Sequence, residues 1–188
     1  MTEITNTALT DLSDALAAAV EKAGASTVLV SARRRIPASG IIWTADGAIL
    51  TSDHVIEREE DIKVIFADGR ELPAKIVGRD PGSDLAMLKV EGSGFTPAER
   101  SPDGAARIGN IVLALGRPSP ESPMASFGVI SAIGGAWRTF RGSEVEGYIR
   151  SDTTFYPGFS GGPLIDAAGR VVGINSSRLG RGAGLTIP

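Results

Sequence analysis

Short apolar runs separated by turn residues fill most of this chain, and they constrain its fold more than any other feature. They fall at 27–32, 40–44, 48–52, 62–66, 71–77 and 85–90; a polar stretch with Gly and Pro follows from Glu91 to Arg107. A second set begins at 110–115 and continues at 124–133, 147–152, 162–165, 171–176 and 183–187. Each run, bounded by turn residues, reads as a strand. Roughly a dozen strands at this spacing predict a sandwich or a pair of barrels, not a parallel α/β sheet. Asp46-Gly47 and Asp68-Gly69 are hairpin signals. One helix is expected before the strands, where Leu9, Leu12, Leu16, Ala19, Val20 and Ala23 recur at three- and four-residue steps and Gly24 closes it. It either covers its own barrel or bridges subunits.

A chain of 188 residues with 42% hydrophobic content can bury a core without a metal or disulfide staple. The absence of cysteine removes disulfide frameworks, thiol catalysis and the usual structural zinc sites, and one histidine makes an imidazole-rich metal site impossible. No metal or cofactor is expected. The net charge of −3 argues against a nucleic-acid surface, and Arg33-Arg34-Arg35 reads as a solvated tip between strands. No apolar stretch approaches the ~18 residues of a membrane span, and Met1-Thr2-Glu3 opens no signal peptide. As written, the sequence reads as cytoplasmic.

The single histidine, His54, lies in Thr51-Ser52-Asp53-His54-Val55; Asp84 follows in Asp80-Pro81-Gly82-Ser83-Asp84, and Ser160 in Pro157-Gly158-Phe159-Ser160-Gly161-Gly162-Pro163. Serine is a poor nucleophile until a base takes its proton, and imidazole suits that work near neutrality. Each residue alone has a plainer reading: a satisfied, partly buried histidine, a solvated loop acid, a tight turn before a strand. Three roles, their order and the flanking turn residues together are far more specific. Glycines around Ser160 permit backbone conformations with φ above zero. The N–H groups of Gly158 and Ser160, on either side of Phe159, are then candidates for an oxyanion-binding loop. Asp80 and Asp53 compete with Asp84 for the place beside His54.

The segments Ser39-Gly40-Ile41-Ile42-Trp43 to His54-Val55, Gly78-Arg79-Asp80-Pro81 to Asp84-Leu85-Ala86-Met87-Leu88-Lys89, Pro157 to Leu164 and Gly173-Ile174-Asn175 resemble the protease domain of the HtrA (DegP/Deg) family, within the chymotrypsin-like superfamily. The resemblance implies an all-β fold, a chymotrypsin-like double six-stranded β-barrel with an N-terminal helix. It places an N-terminal segment at 1–25, barrel one at about 26–95, a connection at about 96–107 and barrel two at about 108–188. It also implies a homotrimeric serine endopeptidase for unfolded or damaged polypeptides. His54 resembles the general base, Asp84, just before Leu85-Ala86, the carboxylate that orients it, and Ser160 the nucleophile. The family normally continues into a PDZ domain, so a truncated chain is expected, periplasmic or membrane-anchored if an N-terminal segment was removed.

The resemblance has departures. Digestive and clotting relatives carry an aspartate before the nucleophile, paired after zymogen cleavage, and HtrA members more often carry asparagine. Here Phe159 stands there, so zymogen-type activation is unavailable, and its ring either holds the loop ordered or holds it collapsed. The specificity pocket maps to Thr154 and Phe155. Neither is acidic, so a buried Arg or Lys of the substrate would lack a counter-charge. With Phe155 filling part of the pocket, Val, Ala or Ile is expected; with Phe155 packed in the second barrel, a wider pocket. Ser176-Ser177-Arg178 resembles the strand edge that pairs with extended substrate. The loop from Gly134 to Glu146, with Trp137 and Phe140, resembles the sensor-loop position and either docks a partner or packs on the barrel. Gly180 to Gly184 reads as a flexible hairpin loop.

Overall fold

The computed structural model describes residues 7–34, 36–138, 144–179 and 184–188. A helix α1, Thr7–Gly24, precedes fourteen strands. They are β1 Thr27–Ser31, β2 Ala38–Ile42, β3 Ala48–Ser52, β4 Ile62–Ile65, β5 Glu71–Asp80, β6 Leu85–Val90 and β7 Ile111–Gly116. They continue with β8 Met124–Gly134, β9 Trp137–Arg138, β10 Glu144–Val145, β11 Tyr148–Ser151, β12 Pro163–Asp166, β13 Val171–Ser176 and β14 Leu185–Ile187. A 3-10 turn, Asp53–Val55, follows β3. The first barrel closes in the order β1-β2-β3-β6-β5-β4 and the second in the order β11-β14-β13-β12-β7-β8, while β9 and β10 form a separate ribbon. The expected double six-stranded barrel with an N-terminal helix is the observed architecture. Among the described residues, closure leaves no free sheet edge in either barrel.

Alternation along the strands explains the two interiors. In β6, Ala86, Leu88 and Val90 are buried while Leu85, Met87 and Lys89 are less so, and the buried set joins Val28, Val30, Ile49, Ile62 and Val64 in the core of barrel one. Barrel two is filled by Val112, Ala114, Ile130, Ile149, Leu164 and Phe159. A third cluster lies where the barrels meet: Ile41, with Trp43 and Leu50 beside it, packs with Leu113, Leu115, Ile165 and Ile174, and α1 seals it with Ala19 and Ala23. The helix therefore covers the chain's own barrels at its C-terminal half, whereas Leu9 and Leu12 in its first turns stay exposed.

The connection from Glu91 to Asn110 is pinned to both halves. Ala98 N–H donates to Ile42 O, while Val171 N–H donates to Glu99 O and Ser101 N–H to Val171 O. Arg117, at the end of β7 and almost fully buried, donates from its guanidinium to Gly24 O at 2.9 Å and Thr27 O at 2.8 Å. It thereby caps the carbonyl end of α1, where the helix dipole favours a cation. Burial lowers its pKa.

Some local expectations shift. Gly24 is the last helical residue but does not take a left-handed conformation. At the two hairpins only the glycines, Gly47 (φ +91°) and Gly69 (φ +85°), have positive φ. The β9–β10 ribbon was not expected from sequence, and Trp137 packs edge-on against Tyr148 at 6.0 Å. Arg35, Phe140 and the loop residues Gly180, Arg181, Gly182 and Ala183 lie outside the described residues.

Leu88, fully buried in barrel one, and Val77, two-thirds exposed on β5, give a direct test of this packing. Leu88→Ala should destabilise the chain by about 2–5 kcal/mol, and Val77→Ala by no more than about 0.5 kcal/mol, measured by urea unfolding. Equal effects would contradict the closed first barrel.

Candidate active site

Three segments distant in sequence converge between the barrels. The 3-10 turn after β3 carries His54; the turn between β5 and β6 carries Asp84; the loop before β12 carries Ser160. Each is shaped by its own hydrogen bonds. Asp80 Oδ1 accepts from Gly82 N–H at 2.9 Å and its Oδ2 accepts from Ser83 Oγ at 2.6 Å, which builds the turn that delivers Asp84. Asp84 itself sits at φ +59°, a left-handed conformation that aspartate tolerates better than most residues.

The Asp84 carboxylate is 1% exposed and receives several donors. His54 Nδ1 lies 2.7 Å from Oδ2, His54 N–H donates to Oδ1 at 2.9 Å, and Ser176 Oγ donates to Oδ2 at 2.5 Å. Burial pushes the Asp84 pKa up, but the hydrogen bonds from His54 and Ser176 outweigh it and hold the carboxyl below its ordinary value. An ionised carboxylate only accepts, so the proton between the two groups belongs to His54 Nδ1, leaving Nε2 as the basic nitrogen.

The other two acids have different work. Asp53 pairs with Arg79, Nε to Oδ1 at 2.5 Å, and the same guanidinium donates to Asp53 O and Ile56 O, clasping the turn that carries His54. Asp80 is spent on its own turn. Neither makes a hydrogen bond to His54 among the described residues.

Ser160, 6% exposed, lies at 2.9 Å from Ser177 Oγ, and Ser177 N–H donates to Ser160 Oγ at 3.3 Å. The hydroxyl is therefore held by Ser177, with no hydrogen bond between Ser160 and His54 among the described residues. Ser177 directly follows Ser176, the donor to Asp84. His54, Asp84, Ser176, Ser177 and Ser160 thus form one continuous line of contacts across the two barrels.

The backbone around Ser160 is tightly specified. Phe159 N–H donates to Tyr156 O at 3.0 Å, closing a turn with Pro157 and Gly158 (φ +94°) at its centre. Proline followed by a residue of positive φ is the pattern of a type II turn. Gly161 (φ +84°) presses so closely on Ser39 O and Thr51 Oγ1 that a Cβ there has no room. The Phe159 side chain has no exposed surface and stands edge-on to Tyr156 at 5.4 Å in the core of barrel two. Gly158 N–H and Ser160 N–H have no acceptor among the described residues.

The remaining sequence-based candidates are distributed around this centre. Thr154 is exposed, and its carbonyl accepts from Ser126 Oγ at 2.7 Å. Phe155 is half-buried, packs against the second core and lies directly on Gly184. The Ser176 side chain turns inward onto Asp84 instead of facing a ligand. Ser177 and Arg178 are exposed, and Arg178 N–H donates to Ser176 Oγ at 3.2 Å. Sequence reasoning missed Ser39 and Arg79 as parts of this assembly. The lone clue lay in their positions inside the quoted segments.

Comparison with known proteins agrees in three ways. The trypsin-like peptidase domain family matches residues 38–174. A probable periplasmic serine endoprotease, DegP-like, from Ectopseudomonas mendocina is 40% identical over 146 residues, 78% of this chain and 30% of the relative. A protein of the same description from Halomonas elongata is 38% identical over 154 residues, 82% of this chain and 32% of the relative. Among solved structures, an HtrA-type protease, AlgW, with a tripeptide superposes with a TM-score of 0.79 at 34% identity, covering 92% of this chain and 59% of that one. The chain spans less than a third of the length of the two DegP-like relatives.

The Asp84 environment yields a pH prediction. A carboxyl whose pKa is lower folded than unfolded adds stability that is complete above the ordinary value of 3.8 and lost as pH falls through the folded value. Asp84→Asn should therefore flatten the acid limb of stability below about pH 4, followed as urea midpoints against pH. Identical acid limbs in the two proteins would mean the carboxylate is not held as described.

Proposed function

The chain belongs to the trypsin-like peptidase domain family, its likenesses placing it among HtrA protease domains, and from that premise we propose that it is a serine endopeptidase working through His54, Asp84 and Ser160. The observation that carries this reading is the line of contacts that joins the chain's one imidazole, through a buried carboxylate, to a serine in a loop with two free N–H groups. Asp84 holds the imidazole by Nδ1–H and stabilises the imidazolium that forms later. Nε2 takes the Ser160 proton as Oγ attacks the substrate carbonyl, once the hydroxyl leaves Ser177 for the imidazole. The N–H groups of Gly158 and Ser160 receive the oxygen of the tetrahedral intermediate, with Phe159 between them anchored in the core. The imidazolium then gives its proton to the leaving amine, and water repeats the sequence on the acyl-enzyme. None of these steps draws on a metal or cofactor.

Substrates on this reading are unfolded or damaged polypeptides, taken as extended backbone along the Ser176 to Arg178 edge. Phe155 packs on the barrel-two core with only part of its ring, and on this reading the remaining part, seated against Gly184, narrows the pocket that Thr154 borders, which suits Val, Ala or Ile and leaves a cationic side chain without a counter-charge. Assembly as a homotrimer is part of the same proposal, and the exposed Leu9 and Leu12 of α1 are apolar surface of the kind that subunit contacts cover. The DegP-like relatives are named as periplasmic, which favours the extracytoplasmic setting over the cytoplasmic one read from the bare sequence. Among the described residues no helix is long and apolar enough to cross a membrane.

A second reading, a silenced peptide-binding or chaperone-like module of the same fold, has one observation in its favour, the engagement of Ser160 by Ser177. Against it stands the loop around Ser160, whose Gly158 and Ser160 N–H groups have no acceptor among the described residues and whose Phe159 is buried.

A fluorophosphonate should label Ser160, and Ser160→Ala or His54→Ala should lower kcat on casein by roughly 10⁴-fold or more. Unchanged turnover in either variant excludes the mechanism, and client protection from aggregation without turnover by the unmutated chain selects the second reading. Phe155→Ala should raise kcat/KM for substrates with Phe or Leu before the scissile bond by about 10-fold or more relative to Val; an unaltered preference would mean that Phe155 does not wall the pocket.

A further inference from the structure

Ser39 belongs to β2 of the first barrel, yet its contacts reach the nucleophile loop of the second. It has no exposed surface. Its Oγ–H donates to Gly158 O at 2.7 Å, and its Oγ accepts from Arg117 N–H at 2.7 Å. Its own N–H donates to Ser160 O at 3.1 Å, and its carbonyl accepts from Thr51 Oγ1 at 2.6 Å. From this geometry we infer that Ser39 is a positioning residue of the oxyanion loop, holding the peptide planes that leave the N–H groups of Gly158 and Ser160 free; the inference rests on the peptidase reading above.

Peptide units are planar, so fixing the two ends of a unit fixes its orientation. The unit between Gly158 and Phe159 is held at its C=O by Ser39 Oγ and at its N–H by Tyr156 O. The unit between Ser160 and Gly161 is held at its C=O by Ser39 N–H and at its N–H by Asn175 O, 2.8 Å away. Between them, the Phe159 carbonyl accepts from Gly162 N–H at 2.9 Å, and the N–H of the same unit, that of Ser160, is left without an acceptor. One serine therefore grips both flanks of the unit that presents the Ser160 N–H, and the Gly158 grip also anchors the turn that presents the Gly158 N–H.

The pocket around Ser39 admits only a small polar side chain. A Cβ on Gly116 would stand 3.0 Å from Ser39 Oγ, and a Cβ on Gly162 3.1 Å from Ser39 Cβ. The hydroxyl is used both as donor and as acceptor, a combination that alanine, of nearly equal size, cannot supply.

Ser39→Ala tests this. It keeps the backbone bond to Ser160 O and removes the hold on Gly158 O. The expected result is a kcat lower by about 10–100-fold with KM within about threefold, the split that marks an interaction used in the transition state. Affinity for a tripeptide boronate, whose tetrahedral adduct places an oxygen in the same hole, should fall by a similar factor. Thr27→Val, which removes a fully buried hydroxyl that donates to Ala23 O at 2.8 Å, is the comparison for stability loss alone and should lower Tm with kcat within about twofold. If Ser39→Ala does not fold, Ser39→Cys, close in size and a weak donor, carries the same expectation in milder form. Unchanged kcat and boronate affinity in a folded Ser39 variant would overturn the positioning role while leaving the peptidase reading intact. An unmutated chain that neither cleaves casein nor takes up a fluorophosphonate overturns both.

Discussion

The buried Asp84 carboxylate is the interaction on which the arrangement of the site depends. One oxygen takes the His54 main-chain N–H, and the other takes the imidazole Nδ1 and the Ser176 hydroxyl. His54 and Asp84 come from barrel one and Ser176 from barrel two, so one anion sets the imidazole and ties the halves together. An isolated buried charge would be costly; donors on both oxygens make it tolerable and keep it ionised. The left-handed backbone at Asp84 is the local strain that delivers the carboxylate to that place.

The loop that carries Ser160 is held by different physics. Where a charged anchor would need a counter-ion, Phe159 sinks an apolar ring into the barrel-two core and makes the loop's position a matter of packing. Ser39 and Tyr156 then take the backbone groups that packing cannot orient, and Gly158 and Gly161 admit conformations that other residues would resist. Apolar burial places the loop; directional hydrogen bonds fix the peptide units on either side of the one that carries the Ser160 N–H. The same division runs through the molecule, since the cluster of Ile41, Leu115 and Ile174 brings the barrels together while Arg117 and the connecting segment fix how they sit.

Much of the fold was legible from local pattern. The apolar runs that form β3, β6 and β13 appear in the sequence with their boundaries intact, and α1 is plain from the spacing of Leu9 to Ala23. The ribbon of β9 and β10 was not legible, because two-residue strands carry no periodicity. Strand β5 runs on to Asp80, past the expected end at Val77, because its pairing with β6 continues through Gly78 and Arg79 despite a bulge. At the site, three acids near the histidine could not be ranked by type alone. Arg79 claims Asp53, a local turn claims Asp80, and Asp84 is left for His54.

The order of residues alone therefore determined the chemical inventory: a single base, a serine among glycines, an acid before Leu85-Ala86, and strands enough for two barrels. Tertiary structure decided that Asp84 meets the imidazole, that Phe159 is an anchor lodged in the core, that Ser176 faces inward, and that Ser39 reaches the loop 119 residues further along. The reason is one of range. Periodicity and turn chemistry act over a few residues and leave marks in sequence, whereas a hydrogen bond between barrels depends on where two closed sheets come to rest, which no local pattern records.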